Sequence, residues 1–290
     1  MSTSKSAEPR PFWPIMVLAA LVAGVQRAAT NLWQSIVVVV RAPRVALPRI
    51  PAIAFVTLAA TVAVIVAAMF LIDAAASDWA LNLPRWFIDL ADEITNFGLS
   101  GRFLYPFGFT VLILCALIAP WLPPITQGVL SALVARFGFL FLAIALPSLF
   151  DTIVKRMIGR ARPYIGPHDD PFSYKPFIWV PNYSSMPSGH ATTAAAAAIA
   201  IGAVWPASRP VMWLYALVIM FTRVAINVHH PSDVLAGALV GVVGALMVRR
   251  WFAARRLVFV ADDLRAFAWP SWRRLVGVGR QLAGTPASAA

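Results

Sequence analysis

The chain has 290 residues, of which 60% are hydrophobic and only 12% are charged. This composition excludes an ordinary soluble domain and indicates a polytopic membrane protein. The net charge of +12 does not indicate a nucleic-acid partner, because the basic residues flank apolar segments, where they set topology or meet anionic lipids. The single cysteine, Cys115, excludes an intrachain disulfide.

Residues 1–50 form a basic segment that is predicted to be cytoplasmic or interfacial. Within it, residues 11–40 begin with an apolar run, which is followed by Gln26, Arg27 and Asn31. This pattern favours an amphipathic helix that lies in the membrane interface. Two alternatives stay open: a short signal sequence, for which no clear cleavage site follows, and a seventh membrane span.

Six apolar segments approach the length of about 20 residues that a helix needs to cross a bilayer. None has the period-2 alternation of a barrel strand, so each is predicted to be a helix. They lie at Ala52–Leu71, Pro106–Leu122, Gly128–Ile153, Gly189–Trp205, Val211–Val228 and Val234–Trp251. The predicted fold is therefore all-α, a polytopic membrane protein with a six-transmembrane-helix bundle over residues 51–252. Residues 253–290 are predicted to be a basic cytoplasmic tail.

The distribution of charge predicts the orientation of these spans. Residues 1–50 carry six basic residues against Glu8, and residues 249–290 carry eight arginines against two aspartates. The positive-inside rule therefore predicts that both termini are cytoplasmic, which agrees with an even number of spans. The connection 73–102, with five acidic residues and two arginines, suits the outer side. The connections 154–188 and 229–233 then lie on the same outer face.

Three polar blocks interrupt the apolar sequence, and the predicted topology brings all of them to the outer face. They are Lys155–Pro163 (KRMIGRARP), Pro187–His190 (PSGH) and Thr222–Asp233 (TRVAINVHHPSD). Ionisable residues at the ends of membrane helices are costly and by default indicate a functional site.

The first two blocks supply groups that bind anions. Lys155 is predicted to end the third span, and Arg162, held extended by Pro163, presents a planar guanidinium to phosphate oxygens. Ser188 and Gly189 open a helix whose free N–H groups favour an anion. Taken singly, these residues are also explained by a snorkelling lysine and an ordinary helix cap.

The third block combines Arg223, His229 and Asp233 between two helices. An aspartate beside an imidazole fixes the tautomer and leaves the other ring nitrogen free to attack. His190, in the first turn after Ser188, supplies a second imidazole as proton donor. Phosphoryl transfer requires positioning and charge stabilisation, and these residues supply both. Alternatively, Asp233 only complements the dipole of its helix.

The three blocks together resemble the signature of the type 2 phosphatidic acid phosphatase superfamily, which also includes the vanadium haloperoxidases. The matching residues are Lys155-x6-Arg162-Pro163, Pro187-Ser188-Gly189-His190 and Arg223-x5-His229-x3-Asp233. The resemblance covers residues 52–251. One departure is Thr222, where the family usually has serine, and threonine keeps the hydroxyl group.

This resemblance implies a role for each matching residue. His229 is the nucleophile that forms a phosphohistidine, Asp233 orients it, and His190 protonates the leaving oxygen. The implied phosphate-binding residues are Lys155, Arg162, Ser188, Gly189 and Arg223. No metal or other cofactor is implied. The run His168-Asp169-Asp170 has metal-ligand chemistry, but it is interpreted as part of a loop, since no further ligands match.

The implied function is that of a lipid phosphatase in a bacterial inner membrane, with the active site facing the periplasm. Its candidate substrates are undecaprenyl diphosphate, lipid A 1-phosphate, phosphatidylglycerol phosphate and phosphatidic acid. Aromatic residues between Tyr164 and Met186 are predicted to lie in the headgroup zone and to shape lipid access. Two alternatives stay open: a phosphotransferase with a lipid or sugar acceptor, and a catalytically inactive lipid-binding protein.

Overall fold

The computed structural model describes residues 13–165, 170–269, 276–278 and 282. Over these residues the chain folds into helices joined by turns, with two isolated β-bridges and no strand, which confirms the predicted all-α fold. The helices are α1 (Trp13–Val40), α2 (Ala52–Leu71), α3 (Asp73–Leu81), α4 (Arg85–Thr95), α5 (Gly101–Leu117), α6 (Pro124–Ile158), α7 (Gly189–Val204), α8 (Arg209–Ala225) and α9 (Pro231–Ala254).

Each of the six predicted spans overlaps one helix, namely α2 and α5 to α9, although the predicted second span begins and ends five residues after α5 does. Among the described residues, four helical stretches are long and apolar enough to cross a membrane: Ala52–Leu71, Arg85–Leu117, Pro124–Ile158 and Pro231–Ala254. Helices α7 and α8 have 16 and 17 residues. At 1.5 Å per residue each is about 25 Å long, against a hydrocarbon core of about 30 Å. The count of six spans therefore stays a prediction.

The chain divides into two compact units. The first consists of Met1–Val40, Thr110–Val134 and Trp269–Ala290, and the second consists of Arg41–Phe109 and Ala135–Ala268. All of the predicted site residues belong to the second unit. The predicted limits of the membrane domain, residues 51–252, stay a prediction.

In the first unit, the polar side chains of α1 bind the carboxyl end of α5. Arg27 Nε donates to the carbonyl of Ala116 at 3.1 Å, and Asn31 Nδ2 donates to the carbonyls of Cys115 and Ile118 at 2.9 and 3.0 Å. A helix leaves its last carbonyls without intrahelical partners, so these contacts satisfy them. The polar residues that make α1 amphipathic thus have a structural role, and its position in the membrane stays a prediction.

In the second unit, α7 packs closely against α9 because the contact is lined by small residues. Buried alanines make up half of α7. A Cβ atom on Gly237 or Gly241 of α9 would collide with the carbonyl of Ser188 or Thr192. Glycines four residues apart allow membrane helices to approach in this way. The second and third polar blocks meet as a result, and Ser188 N donates to the carbonyl of Asp233 at 2.9 Å.

A tight turn after α6 directs the first polar block toward the same place. Gly159 has a φ of +63°, a left-handed conformation that favours glycine, and its carbonyl accepts a hydrogen bond from Lys175 N at 2.7 Å. Arg160 then forms an antiparallel bridge with Tyr174. This pairing holds the residues that follow α6 extended beside the 173–175 segment.

The connection 73–102 is not a simple loop, because it contains α3 and α4. Asp73 opens α3 and Thr95 ends α4, and both side chains are buried. Helix α4 packs against α8. The two short helices therefore bring buried polar groups to the ends of the longer ones.

Candidate active site

Lys155 lies in the last turn of α6, beside the start of α7. Its Nζ is 2.6 Å from Oδ2 of Asp151, whose side chain is buried. Thr192 Oγ1 donates to the other carboxylate oxygen, Asp151 Oδ1, at 3.1 Å. A Cβ atom on Gly189 would lie 3.0 Å from Lys155 Nζ. The ammonium group is therefore held next to the N-terminal amides of α7, and the lack of a side chain at Gly189 leaves it room.

Ser188 occupies the N-cap position of α7, but its hydroxyl caps no backbone group. The residue is fully buried, and Oγ has no hydrogen-bond partner among the described residues. A buried hydroxyl without a partner costs about 1–3 kcal/mol, so buried polar groups in proteins usually have one. Ser188 therefore has a hydroxyl available for an anion.

Two of the predicted phosphate-binding arginines share this property. The Nε atoms of Arg162 and Arg223 are buried and have no partner within the part of the chain that the structure describes. Arg223 Nη1 donates to Thr95 Oγ1 at 2.9 Å, which fixes one side of its guanidinium. Guanidinium groups bind phosphate through paired N–H donors. With Ser188, the site thus has three unused polar groups suited to phosphate oxygens.

His229 follows α8 and is only 4% exposed. Burial lowers the pKa of His229 well below its usual value. The positive charges of Arg223, Arg162 and Lys155 lower this pKa further. Three predicted cations therefore act on one imidazole. That imidazole is neutral near pH 7 and has a lone pair available for attack.

Asp233 lies in the first turn of α9, as expected, but it does not contact His229 directly. The distance from His229 Nδ1 to Asp233 Oδ2 is 3.9 Å, which is too long for a hydrogen bond. Ser185 Oγ lies between them, 2.6 Å from Asp233 Oδ2 and 3.5 Å from His229 Nδ1. Asp233 Oδ2 also accepts a hydrogen bond from the backbone N–H of His230 at 2.9 Å, so the same carboxylate caps α9.

His190 is half-buried in the first turn of α7, with its ring against Gly98. A Cβ atom on Gly98 would lie 3.0 Å from His190 Cδ2. A charge on His190 also lowers the pKa of His229. This arrangement is compatible with one imidazole acting as nucleophile and the other as acid.

Several polar residues at the site were not predicted from the sequence: Asp73, Asp151, Arg160 and Ser185. Arg160 is fully buried, and its guanidinium joins two carboxylates, with Nη1 2.6 Å from Asp233 Oδ1 and Nη2 2.8 Å from Asp73 Oδ2. Two of these residues had a signal in the sequence. Asp73 directly follows an apolar run, and Asp151 lies inside one, four residues before a lysine.

Among the described residues, no three His, Cys, Asp or Glu side chains are grouped so that they could hold a metal ion. His168 and Asp169 lie outside those residues. Asp170 accepts a hydrogen bond from the backbone N–H of Phe172 at 2.9 Å. Independence from metals stays a prediction.

Comparison with known proteins finds a family model that matches part of the chain. Residues 136–257 match the model of the PAP2 superfamily. This matched range is 122 of the 290 residues. All three polar blocks lie within it, so the resemblance found in the sequence is confirmed. Asp73 and Thr95 lie outside the matched range, although their side chains contact Arg160 and Arg223, which lie inside it.

The chain is similar to phosphatases of bacterial lipids. The chain is 35% identical over 139 residues to a lipid A 1-phosphatase of Rhizobium johnstonii, which covers 48% of this chain and 55% of the relative. It is 33% identical over 96 residues to a decaprenylphosphoryl-5-phosphoribose phosphatase of Mycobacterium tuberculosis, covering 33% of this chain and 50% of the relative. The chain thus spans about half the length of the curated relatives it matches.

One solved structure is also similar, the transmembrane PAP2 type phosphatidylglycerolphosphate phosphatase from Bacillus subtilis. The TM-score is 0.44 at 18% sequence identity, and the alignment covers 77% of this chain and 94% of that one.

Proposed function

We propose that this protein is an integral membrane phosphatase that hydrolyses a phosphomonoester or diphosphate carried on a lipid, through a phosphohistidine intermediate. One observation carries the proposal. A buried, neutral His229 lies among cationic side chains, and buried polar atoms of Arg162, Arg223 and Ser188 lack partners within the described residues. A phosphoryl group supplies the oxygens that these atoms lack. The names of the relatives support the same reaction class.

In the first step, Nε2 of His229 attacks the phosphorus, because Nδ1 is the nitrogen that faces Ser185 and Asp233. A bond forms between nitrogen and phosphorus, and the bond from phosphorus to the lipid oxygen breaks. His190, which must be protonated at this point, donates its proton to that oxygen. Lys155, Arg162 and Arg223 neutralise the charge on the phosphoryl oxygens, which is where phosphoryl transfer requires stabilisation.

In the second step, water attacks the phosphohistidine. His190, neutral after the first step, accepts a proton from the water as the new oxygen–phosphorus bond forms and the nitrogen–phosphorus bond breaks. Inorganic phosphate leaves, and both histidines return to their starting state. Glycine at position 189 keeps the phosphate close to the helix amides and to Lys155 Nζ, because a side chain there would fill the space.

Lipid A 1-phosphate is the first substrate to test, because relatives named for it match the longest stretch of this chain. We infer an active site on the periplasmic face of a bacterial inner membrane, with both termini cytoplasmic. Exposed rings near the site support a lipid substrate. Phe177 and Trp179 are 72% and 75% exposed. Aromatic side chains of this kind prefer the headgroup zone.

Release of inorganic phosphate by the purified full chain in detergent tests the proposal. The panel contains lipid A, undecaprenyl diphosphate, phosphatidylglycerol phosphate and phosphatidic acid, each with and without EDTA. We expect release from at least one lipid, unchanged by EDTA and absent in a variant lacking the nucleophile. Loss of activity in EDTA would contradict the metal-independent reaction. Release that appears only after addition of a lipid or sugar acceptor would identify a phosphotransferase instead.

The low pKa of His229 predicts the acid side of the pH profile. His229 lies between α8 and α9, and its pKa is well below the usual 6.5. A base with a lowered pKa stays unprotonated at pH values where an ordinary histidine is charged. The value of kcat/KM reports the protonation state of the free enzyme. We therefore expect protonation of His229 to lower kcat/KM only in buffer more acidic than pH 6.5.

Arg162→Gln gives the matching measurement, because it removes one of the charges that lower the pKa of His229. Its acid limb is expected at higher pH than that of the parent protein, whatever its remaining rate. The phosphate group of the substrate titrates near pH 6 whichever protein is assayed. Only the difference between the two pH profiles is therefore used. Arg156→Gln serves as the control, since Arg156 is not among the charges that lower this pKa. Coincident profiles for all three proteins would refute the assignment.

A further inference from the structure

Ser185 is a buried serine that lies two residues before the PSGH block. It follows the turn Pro181–Tyr183, and its backbone N–H donates to the carbonyl of Arg160 at 3.1 Å. Its exposed fraction is 0%. No solvent or lipid reaches this hydroxyl, so whatever it does is determined by the side chains around it.

The carboxylate of Asp233 is held by groups other than His229. Oδ1 accepts from Arg160 Nη1 at 2.6 Å, while Oδ2 accepts from Ser185 Oγ at 2.6 Å and from His230 N at 2.9 Å. Closing the 3.9 Å gap to His229 would require Asp233 to move away from these donors. Charged hydrogen bonds of this length are among the strong ones, so such a movement is unfavourable.

The hydroxyl of Ser185 has one proton, and it donates this proton in the hydrogen bond to Asp233. A serine hydroxyl has a single donor and two acceptor lone pairs. Toward His229 Nδ1, 3.5 Å away, it can therefore only accept. This distance is at the long end of the hydrogen-bonding range, and catalytic hydrogen bonds often tighten in the complex with substrate. The arrangement favours a proton on Nδ1 and leaves the lone pair on Nε2.

We propose that Ser185 is a positioning residue that couples Asp233 to the nucleophile His229, while Arg160 holds the other oxygen of the carboxylate. The inference rests on the proposed phosphohistidine mechanism. When Nε2 bonds to phosphorus, the imidazole becomes positively charged and keeps its Nδ1 proton. Ser185, polarised by Asp233, accepts the hydrogen bond from that N–H, which becomes stronger as the charge develops. No proton passes through Ser185.

Ser185→Ala tests this role against a neighbouring serine. We expect kcat to fall about tenfold to a hundredfold, as for other partners that orient a functional histidine, with KM nearly unchanged because Ser185 faces His229 and not the phosphate oxygens. Ser184→Ala is the matched control. Ser184 is also buried, but its hydroxyl donates to the carbonyl of Val180 at 3.0 Å. Parent-level kcat in Ser185→Ala, or an equal loss in both variants, would overturn the proposal.

A double-mutant cycle separates coupling from independent effects. In an Asp233→Asn background, Ser185→Ala is expected to cost less than half the factor that it costs in the parent, because the group that it connects has changed. If the loss of kcat in the double variant equals the product of the losses in the two single variants, the proposal is overturned. If Ser185→Ala does not fold, Ser185→Cys replaces it, since a thiol fills the space but is a weak donor and acceptor. Parent-level kcat in that variant would have the same meaning.

The activity of the parent protein distinguishes failure of this proposal from failure of the proposed function. A parent that releases no phosphate from any lipid in the panel refutes the phosphatase itself. An active parent that depends on His229, together with a fully active Ser185→Ala, refutes only the role of Ser185.

Discussion

Replacing His229 with alanine is expected to reduce phosphate release by about 10⁴-fold or more, because loss of a nucleophile removes the covalent route entirely. The variant is also expected to form no phosphoenzyme. In the parent protein, brief incubation with a ³²P-labelled lipid followed by a denaturing quench should trap label that is stable in base and labile in acid, as a phosphoramidate is. Phosphate release in detergent micelles and retention of label on the protein are the two measurements.

The adjacent histidine provides the matched control. His230 is buried to the same degree as His229, but its Nδ1 lies 3.4 Å from Ser77 Oγ and it occupies the N-cap of α9. His230→Asn keeps a side chain that caps helices well, so this variant should retain most of the activity. The opposite pattern, with His229→Ala active and His230→Asn inactive, would show that His229 is not the nucleophile. Label that persists in His229→Ala would have the same consequence.

The sequence predicted the parts of the site that depend on local order along the chain. Lys155 lies in the last turn of one helix, Ser188 precedes a second, and Asp233 lies in the first turn of a third, as the helix-end patterns indicated. Residues so close to helix ends are positioned by the helices themselves. Spacing within a block therefore determines the backbone position of each such residue at a helix end. This explains why the three blocks could be identified from sequence alone.

The partners of these residues could not be predicted in the same way. Arg160 and Asp73 are 87 positions apart, and Ser185 and Asp233 are 48 apart. Nothing in the local sequence indicates which buried carboxylate an arginine will meet. The sequence predicted a direct contact between Asp233 and His229 because they are four residues apart. In the fold, the carboxylate turns toward Arg160 and the backbone of His230, and Ser185 occupies the gap.

The number of spans stays a prediction for a different physical reason. Hydropathy detects apolar length, and α7 is apolar but has only 16 residues, while α8 has 17, so both helices are shorter than a full span. Both helices end or begin at the site, where Ser188 and Arg223 lie. A helix whose polar end lies below the membrane surface is shorter than a full span. The prediction that α7 and α8 are spans therefore implies that the site lies below the membrane surface.

Replacing Arg160 with methionine is expected to destabilise the protein by about 3–5 kcal/mol, the usual cost of leaving a buried charge without its partner. Arg160 is fully buried and lies within 2.8 Å of both Asp73 and Asp233. Methionine fills part of the space, so the main change is the loss of positive charge between two carboxylates. Denaturation of the detergent-solubilised protein with SDS, followed by circular dichroism, measures the effect.

Arg162 lies two residues further along the same segment and provides the contrast. Its Nε is buried without a partner in the described part of the chain, so Arg162→Met removes a group that substrate would use and the fold does not. We expect Arg162→Met to lose activity while keeping its unfolding midpoint, and Arg160→Met to lose the midpoint itself. Adding Asp73→Asn to Arg160→Met should recover part of the stability, because one of the two uncompensated charges is removed. Equal midpoints for the two single variants would show that the buried arginine does not hold these helices together, and the positioning of Asp233 would then need another cause.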